Sequence, residues 1–457
     1  MKNLKNTAWL MMLATGACQT ATPVSSNEPP SCSGQSHCIT TVVGTGQAAF
    51  GDDNVLGWQS PLYSPQDGVV DGKGMLYYID WNNHRIRTWD PKSGLTTTIA
   101  GTGELGDLGG GEPAIDGRMN HPTGLAFAAN GDLLVAAWHN SKIKRINMQT
   151  GILDDICGTG ARAFAGDGVV GGAMKAKLDL PAAVALDTQG NMYIADQANQ
   201  RIRKVDSQDT ITTVVGDNWW TDTGRQTGKP CVDASGNYTN CTTKVLVSKD
   251  KAVWMYDSGA DTVGHAQTDA TGAPVPYTGA IPIPDLIGGY SGDGGPALSA
   301  HIQSPKTQAA VPAGRIVLDT TRSWLYIADT GNNCVRVVDL TSGIINTFAG
   351  TCGGDKAGYA GDGGDAKAAQ LNQPSDVDLF ADGSLLIADK ENHCMRKVGT
   401  DGKISTFAGK CGQIGFSGDG GDANAALLNR PYGAAIGPDG TVYVHDTHNH
   451  RVRVVTK

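Results

Sequence analysis

One pattern recurs along this chain and limits what it can fold into. It reads "YIDWNNHRIRTWD" from Tyr78, "VAAWHNSKIKRIN" from Val135, "YIADQANQRIRKVD" from Tyr193, "YIADTGNNCVRVVD" from Tyr326, "LIADKENHCMRKV" from Leu386 and "YVHDTHNHRVRVV" from Tyr443. Its aspartate position is filled by Asp80, Ala137, Asp196, Asp329, Asp389 and Asp446, at steps of 57 to 60 residues except for one of 133. Within the long step, "VLVSKDKAVWMYDSGADTVGHAQTDATG" from Val245 aligns with the unit at Arg315 and puts Asp257 in the same column, its arginines lost. The count is therefore seven, the fourth unit being degenerate. A period of this length means a repeat architecture and not a series of independent domains.

Each unit holds period-two runs of five to seven residues punctuated by Asp-Gly, Asn-Gly and Ser-Gly, the pattern of strands joined by hairpins. Sixty-two glycines, about twice the usual share, fit a turn-dense all-β chain. Four short strands per unit make a propeller blade. The last unit supplies three strands, and "ITTVVGTG" from Ile39 to Gly46 is an orphan fourth at the other end of the chain. Pairing the two closes the ring and removes its free sheet edges. The expected fold is an all-β propeller of seven four-stranded blades, with six blades plus an insertion as the alternative. A net charge of −9 and a pI near 5.5 leave no basic surface for nucleic acid.

With "YIADxxNxRIRKV", then "ITTVAG" and "GDGGxA", residues 38–457 resemble the NHL repeat family of β-propellers. The resemblance implies six blades more commonly than seven. In that case the connections around the fourth unit, with Trp219 and Trp220, form an insertion over the ring.

Ahead of the propeller, "MKNLKNTAWLMMLATGAC" has Lys2 and Lys5 before an apolar run too short to span a bilayer, which reads as a signal peptide over residues 1–18. Its end resembles the bacterial lipobox, with Thr15 where leucine is usual, and so implies acylation at Cys18. Gln19 implies outer-membrane sorting by resemblance to Gram-negative lipoproteins. Residues 19–37 read as a flexible tether. In an oxidising compartment the other cysteines form bridges. Cys334 and Cys352, and Cys394 and Cys411, sit symmetrically about hairpin turns and face each other across a ladder. Cys231 with Cys241, and Cys32 with Cys38, close local loops, leaving Cys157 unpaired.

The candidate site residues divide by whether they repeat. A glycine-rich loop precedes most units, with Asp52, Asp107, Asp167, Asp293, Asp362 and Asp419. Recurrence favours a joint between blades, with Asp365 and Asp422 capping short helical turns; calcium on these carboxylates is the alternative. Asp80, Asp196, Asp329, Asp389 and Asp446, with Arg87, Arg203, Arg336, Arg396 and Arg453, likewise read as blade-structural pairs. A ligand site should break the repeat. The strongest break is His445, His448 and His450 around Asp446, a zinc alternative set against turn histidines. His121, His139, Trp219 and Trp220 are candidate ligand contacts. No catalytic residue is assigned, no cofactor is expected beyond the calcium and zinc alternatives, and an enzyme is the less favoured reading. The function expected is an exported, lipid-anchored scaffold for a protein or glycan at the cell envelope. The rival is a propeller hydrolase or lyase with a channel metal, as implied by resemblance to propeller lactonases and amidating lyases.

Overall fold

The computed structural model describes residues 28–216, 289–305 and 310–457, and between 231 and 282 the backbone of short strands. Six blades form the ring. Their inner strands are Pro65–Val70, Pro122–Phe127, Pro181–Leu186, Ile316–Asp319, Asp376–Leu379 and Gly433–Ile436, and each lies beside the next all the way round. The expected count of seven is thus corrected to six, because the inner strand of blade 3 meets that of blade 4 directly. Strands Lys244–Val247, Val253–Asp257 and Thr262–Thr268 of the degenerate unit pair among themselves in a separate sheet. That unit lacks the arginines and the loop aspartate that fasten the others, which is the physical reason it makes no blade.

In every blade the inner strand pairs antiparallel with a second, the second with a third and the third with an outer one. Blade 6 takes its outer strand, Cys38–Val43, from the far end of the chain, with Ile39 opposite Val455. Pro65 opposite Asp80 fixes the orientation: the inner strands begin on the face that carries the turns between second and third strands. The glycine-rich loops enter there too. This is the loop face, and the opposite end is the hairpin face. The apolar core lies between blades, where alternate strand residues of neighbours interdigitate.

The repeated charges are consumed in fastening each blade to its loop. Arg87, Arg203, Arg336, Arg396 and Arg453 on the third strands are completely buried. Each guanidinium reaches the buried second-strand aspartate at 3.3–3.9 Å. It also pairs with the loop aspartate: Asp53 at 3.0 Å, Asp293 at 2.7 Å, Asp362 at 2.6 Å, Asp419 at 2.6 Å, and Asp167 in blade 3. In blade 1 the loop carboxylate is therefore Asp53 and not Asp52, whose main-chain oxygen accepts from Arg87 instead. The same loop carboxylates accept from outer-strand threonines, Thr98, Thr213, Thr347, Thr406 and, across the ring closure, Thr41. Burial pushes the carboxyls of Asp196, Asp329, Asp389 and Asp446 up to about 6, opposed by the arginine and asparagine donors beside them. Asp365 and Asp422 cap their short turns, accepting from Lys367 and Asn424 main-chain N–H.

Blade 2 breaks the rule and repairs it. Ala137 has no carboxylate and Lys144 replaces the arginine, but Asp155 stands in the outer strand where the others have threonine. Lys144 then lies 2.6 Å from Asp155 and 2.9 Å from Asp107, and Lys142 pairs with the same two. One buried cation keeps two carboxylates in either arrangement. Asp155→Thr alone should destabilise the protein by about 2 kcal/mol or more, and adding Ala137→Asp should recover most of that. Urea unfolding of the single and double variants checks this.

A second repeated contact joins neighbouring blades. The last residue of each second-to-third turn is left-handed, with φ near 55°, and in every blade but blade 2, where the Ser141 hydroxyl has no partner, its side chain accepts a main-chain N–H of the next blade. His84 accepts from His121, Gln200 from Ser304, Asn333 from Gln373, His393 from Arg430, and His450 from Ser64, which closes the ring. The imidazoles do this through a neutral Nδ1, and burial lowers all three below the ordinary 6.5, His84 to about 4. A base depressed in the folded state contributes stability that is whole above about pH 6.5 and is lost as pH falls through the folded value. Asparagine, which the chain uses at Asn333, accepts without titrating. Replacing His84, His393 and His450 by asparagine should therefore shrink the fall in melting temperature between pH 7 and pH 5, and an unchanged fall would contradict the role.

Candidate functional site

With the repeated charges accounted for, departures from the repeat fall in two places along the ring axis. The first is the channel. One aligned position at the loop-face end of the inner strands is Gly124, Ala183 and Gly433 in three blades, but Asp67, Arg315 and Asp376 in the others; two residues on, Asp378 stands among small apolar residues. Arg315 crosses the axis. Its Nη1 donates to the main-chain oxygen of Gln66 at 2.9 Å, and its Nη2 to that of Thr123 at 2.7 Å. Asp67 and Asp376 flank the guanidinium, each at 3.6 Å. The two carboxylates also accept N–H groups from the free edge of the next inner strand, Leu125 at 3.0 Å and Ala434 at 3.2 Å. Inner strands are sheet edges whose amides would otherwise face the channel unpaired, so these side chains seal it at the loop-face end. Burial raises the carboxyls of Asp67 and Asp376, which Arg315 counteracts.

His445 stands behind this seal. It is completely buried where the other blades carry Ile79, Ala136, Ala195, Ala328 and Ala388, and neither ring nitrogen has a hydrogen-bond partner. Two glycines make room: a Cβ on Gly68 would lie 2.8 Å from the imidazole Cε1, and one on Gly433 would lie 2.4 Å from Arg315 Nη1. Burial, aided by Arg315, pushes His445 down to about 3 and keeps it neutral. His448 is exposed on the turn and stacks on Tyr432, while His450 is the ring-closing contact. The three histidines expected as a zinc set point to three different surroundings. Among the described residues no three or more His, Cys, Asp or Glu side chains are grouped as metal ligands.

The second departure rings the loop-face mouth. The residue after the blade aspartate takes four identities round the ring: tryptophan at Trp81 and Trp138, threonine at Thr330 and Thr447, Gln197 and Lys390. Five lean on the next blade through identified contacts. Trp138 Nε1 donates to Gln197 Oε1, Gln197 Nε2 to the oxygens of Pro305 and Val311, Thr330 Oγ1 to that of Pro374, and Thr447 Oγ1 to that of Pro65. Lys390 Nζ lies 5.1 Å over the Tyr432 ring. His121 and His139, singled out in the sequence, meet here at 4.9 Å between ring centres. His84 lies 4.4 Å and Trp81 4.6 Å from His121, and Trp138 stacks on His139 at 4.2 Å. His121 Nδ1 is 2.7 Å from Asn120 Oδ1, and Nε2 is 3.2 Å from Asn82 Oδ1. Burial lowers all three imidazoles, His121 to about 3. The patch is aromatic, amide-rich and uncharged. Trp219 and Trp220 lie outside the described residues, as do Cys18 and the Cys231–Cys241 pairing. Disulfides join Cys32 to Cys38, Cys334 to Cys352 and Cys394 to Cys411, and Cys157 is free and buried.

Two stretches, residues 371–398 and 428–455, match the NHL repeat, and residues 155–249 match the Teneurin NHL domain. The chain carries NHL repeats on a β-propeller fold. It is 38% identical to the Bos taurus NHL repeat-containing protein 2 over 104 residues, 22% of this chain and 14% of that protein. To Mus musculus Teneurin-3 it is 27% identical over 364 residues, 71% of this chain and 12% of that protein. The chain thus spans a small part of the length of these relatives. Among solved structures, an auxiliary nutrient binding protein from Bacteroides ovatus shares the fold at a TM-score of 0.54 and 14% identity, covering 91% of this chain and 76% of that one.

Removing the axial cation of this NHL-repeat propeller should be costly. Arg315→Met leaves Asp67 and Asp376 buried without a counter-charge and should lower stability by about 3 to 5 kcal/mol, read from urea unfolding at pH 7. The loss should shrink as pH falls, because burial raises both carboxyls and protonation removes their uncompensated charge.

Proposed function

We propose that this NHL-repeat propeller is a binding scaffold, exported and held at the cell envelope through Cys18, that takes a glycan or protein ligand on its loop face. The observation that carries the reading is the column after the blade aspartate. The residues that fasten each blade to its loop and join it to the next recur or compensate from blade to blade, whereas this column varies and gathers Trp81, Trp138, His121 and His139 on one side and Lys390, Tyr432 and His448 on the other. Part-exposed Trp81, His121 and His139 and exposed His448, beside amides and over the buried rings of Trp138 and Tyr432, suit a glycan, whose hydroxyls pair with amides and whose ring faces stack on aromatic side chains. Three disulfides among the described residues support an oxidising, extracytoplasmic location.

The test is a glycan array probed with the intact protein, Trp81→Ala and His448→Ala. At least one substitution should weaken the retained glycan tenfold or more without unfolding the ring. A ligand held equally by both variants would contradict the loop-face assignment. Mass spectrometry of the N-terminal peptide, with Cys18→Ala as control, tests the anchor.

A further inference from the structure

The channel beyond Arg315 has no part in that reading. It is a cavity of about 310 Å³ reaching from the Asp67–Arg315–Asp376 seal toward the hairpin face. Val70, Phe127, Leu186, Leu318 and Ile436, from five of the six inner strands, line it near that face as an apolar collar. Val69, Ala126, Ala185, Val317 and Ala435 line the next level inward, and the one charged group among them is Asp378.

Asp378 differs from the carboxylates of the seal. Its Oδ1 accepts the N–H of Leu379 at 2.7 Å and its Oδ2 that of Ile436 at 3.0 Å. Asp67 and Asp376 share Arg315, but no lysine or arginine among the described residues pairs with Asp378. The cavity therefore holds three carboxylates against one guanidinium. A partly desolvated carboxylate without a cation is costly, and a ligand that brings one and displaces the remaining solvent recovers that cost.

We propose that the hairpin-face half of the channel is a binding site for a primary alkylammonium group, its cation at Asp378 and its hydrocarbon stem in the apolar collar. The surroundings select this chemistry. A bare divalent ion needs six or more oxygens, and the walls at this level are apolar. An anion meets net negative charge. An ammonium on an aliphatic stem matches both the lone carboxylate and the collar. Burial pushes the Asp378 carboxyl up to about 7, with Asp67 adding to the rise, so binding should release a proton and strengthen as pH rises from 6 to 8. The groups that face it are Asp67, Asp376 and Arg315, with neutral His445 behind Gly68.

The experiment is calorimetric titration of the full chain with methyl-, butyl- and hexylammonium, and with a short lysine-containing peptide. Butylammonium should bind at least tenfold more tightly than methylammonium. Asp378→Asn and, separately, Ala126→Leu, which fills the cavity and leaves the carboxylate, should each weaken it tenfold or more; Trp81→Ala on the opposite face should not. Should Asp378→Asn fail to fold, Ala126→Leu carries the test alone. Binding of the peptide as well as the amine identifies a protein lysine as the source, and binding of the amine alone a small molecule. No saturable binding of butylammonium, or equal binding in the folded variants, overturns the proposal.

Discussion

Each of the six blades buries one cation completely, and the rest of the molecule depends on it. A guanidinium taken out of water is costly unless it meets good partners, and here it meets two carboxylates and loop carbonyls. Arg453, for example, holds Asp446, Asp419 and the main-chain oxygens of Ser417 and Leu427. The glycine-rich loop is thereby pulled onto its own blade, and the outer-strand threonine bonds to the same loop carboxylate. Loop, second strand, third strand and outer strand meet at one charge. In blade 6 that charge also fastens the two ends of the chain, because the threonine is Thr41.

The blade cations account for what the loops are. Two carboxylates in a glycine-rich loop suggest calcium, but the recurring one is turned inward onto an arginine and the next caps a helical turn. An aromatic residue three positions before the loop aspartate covers the same cation from outside: Tyr359 lies 4.9 Å from Arg396, and Phe416 lies 3.8 Å from Arg451 and 5.0 Å from Arg453. Blade 2 shows that charge balance, not residue identity, is what the position requires.

Much of this was legible in the sequence. The strand runs, the closing strand at Ile39, the structural nature of the aspartate and arginine columns, and the hairpin cysteines all follow from periodicity, because a repeat states its constraint six times. The blade count was harder. A degenerate unit with Asp257 in register looks like a blade until the missing arginines and loop aspartate are weighed as fasteners. The channel was missed for a different reason. The break in the repeat most conspicuous in the sequence is at His445, His448 and His450, whereas Arg315 among the glycines and alanines of the inner strands is the larger departure in the structure. That Arg315 reaches across the axis to carbonyls of other blades depends on ring closure, and no local pattern carries it.

The molecule divides into repeated fasteners and unrepeated axial residues, and its ring holds only if the fasteners are strongly coupled. A double-mutant cycle on Asp419 and Arg453, using Asp419→Asn and Arg453→Met with urea unfolding at pH 7, measures that coupling. Asp419 is 12% exposed and Arg453 is buried, so the coupling should exceed about 1.5 kcal/mol. A value below about 0.5 kcal/mol, that of an ordinary surface pair, would contradict the claim that these charges hold the blades together.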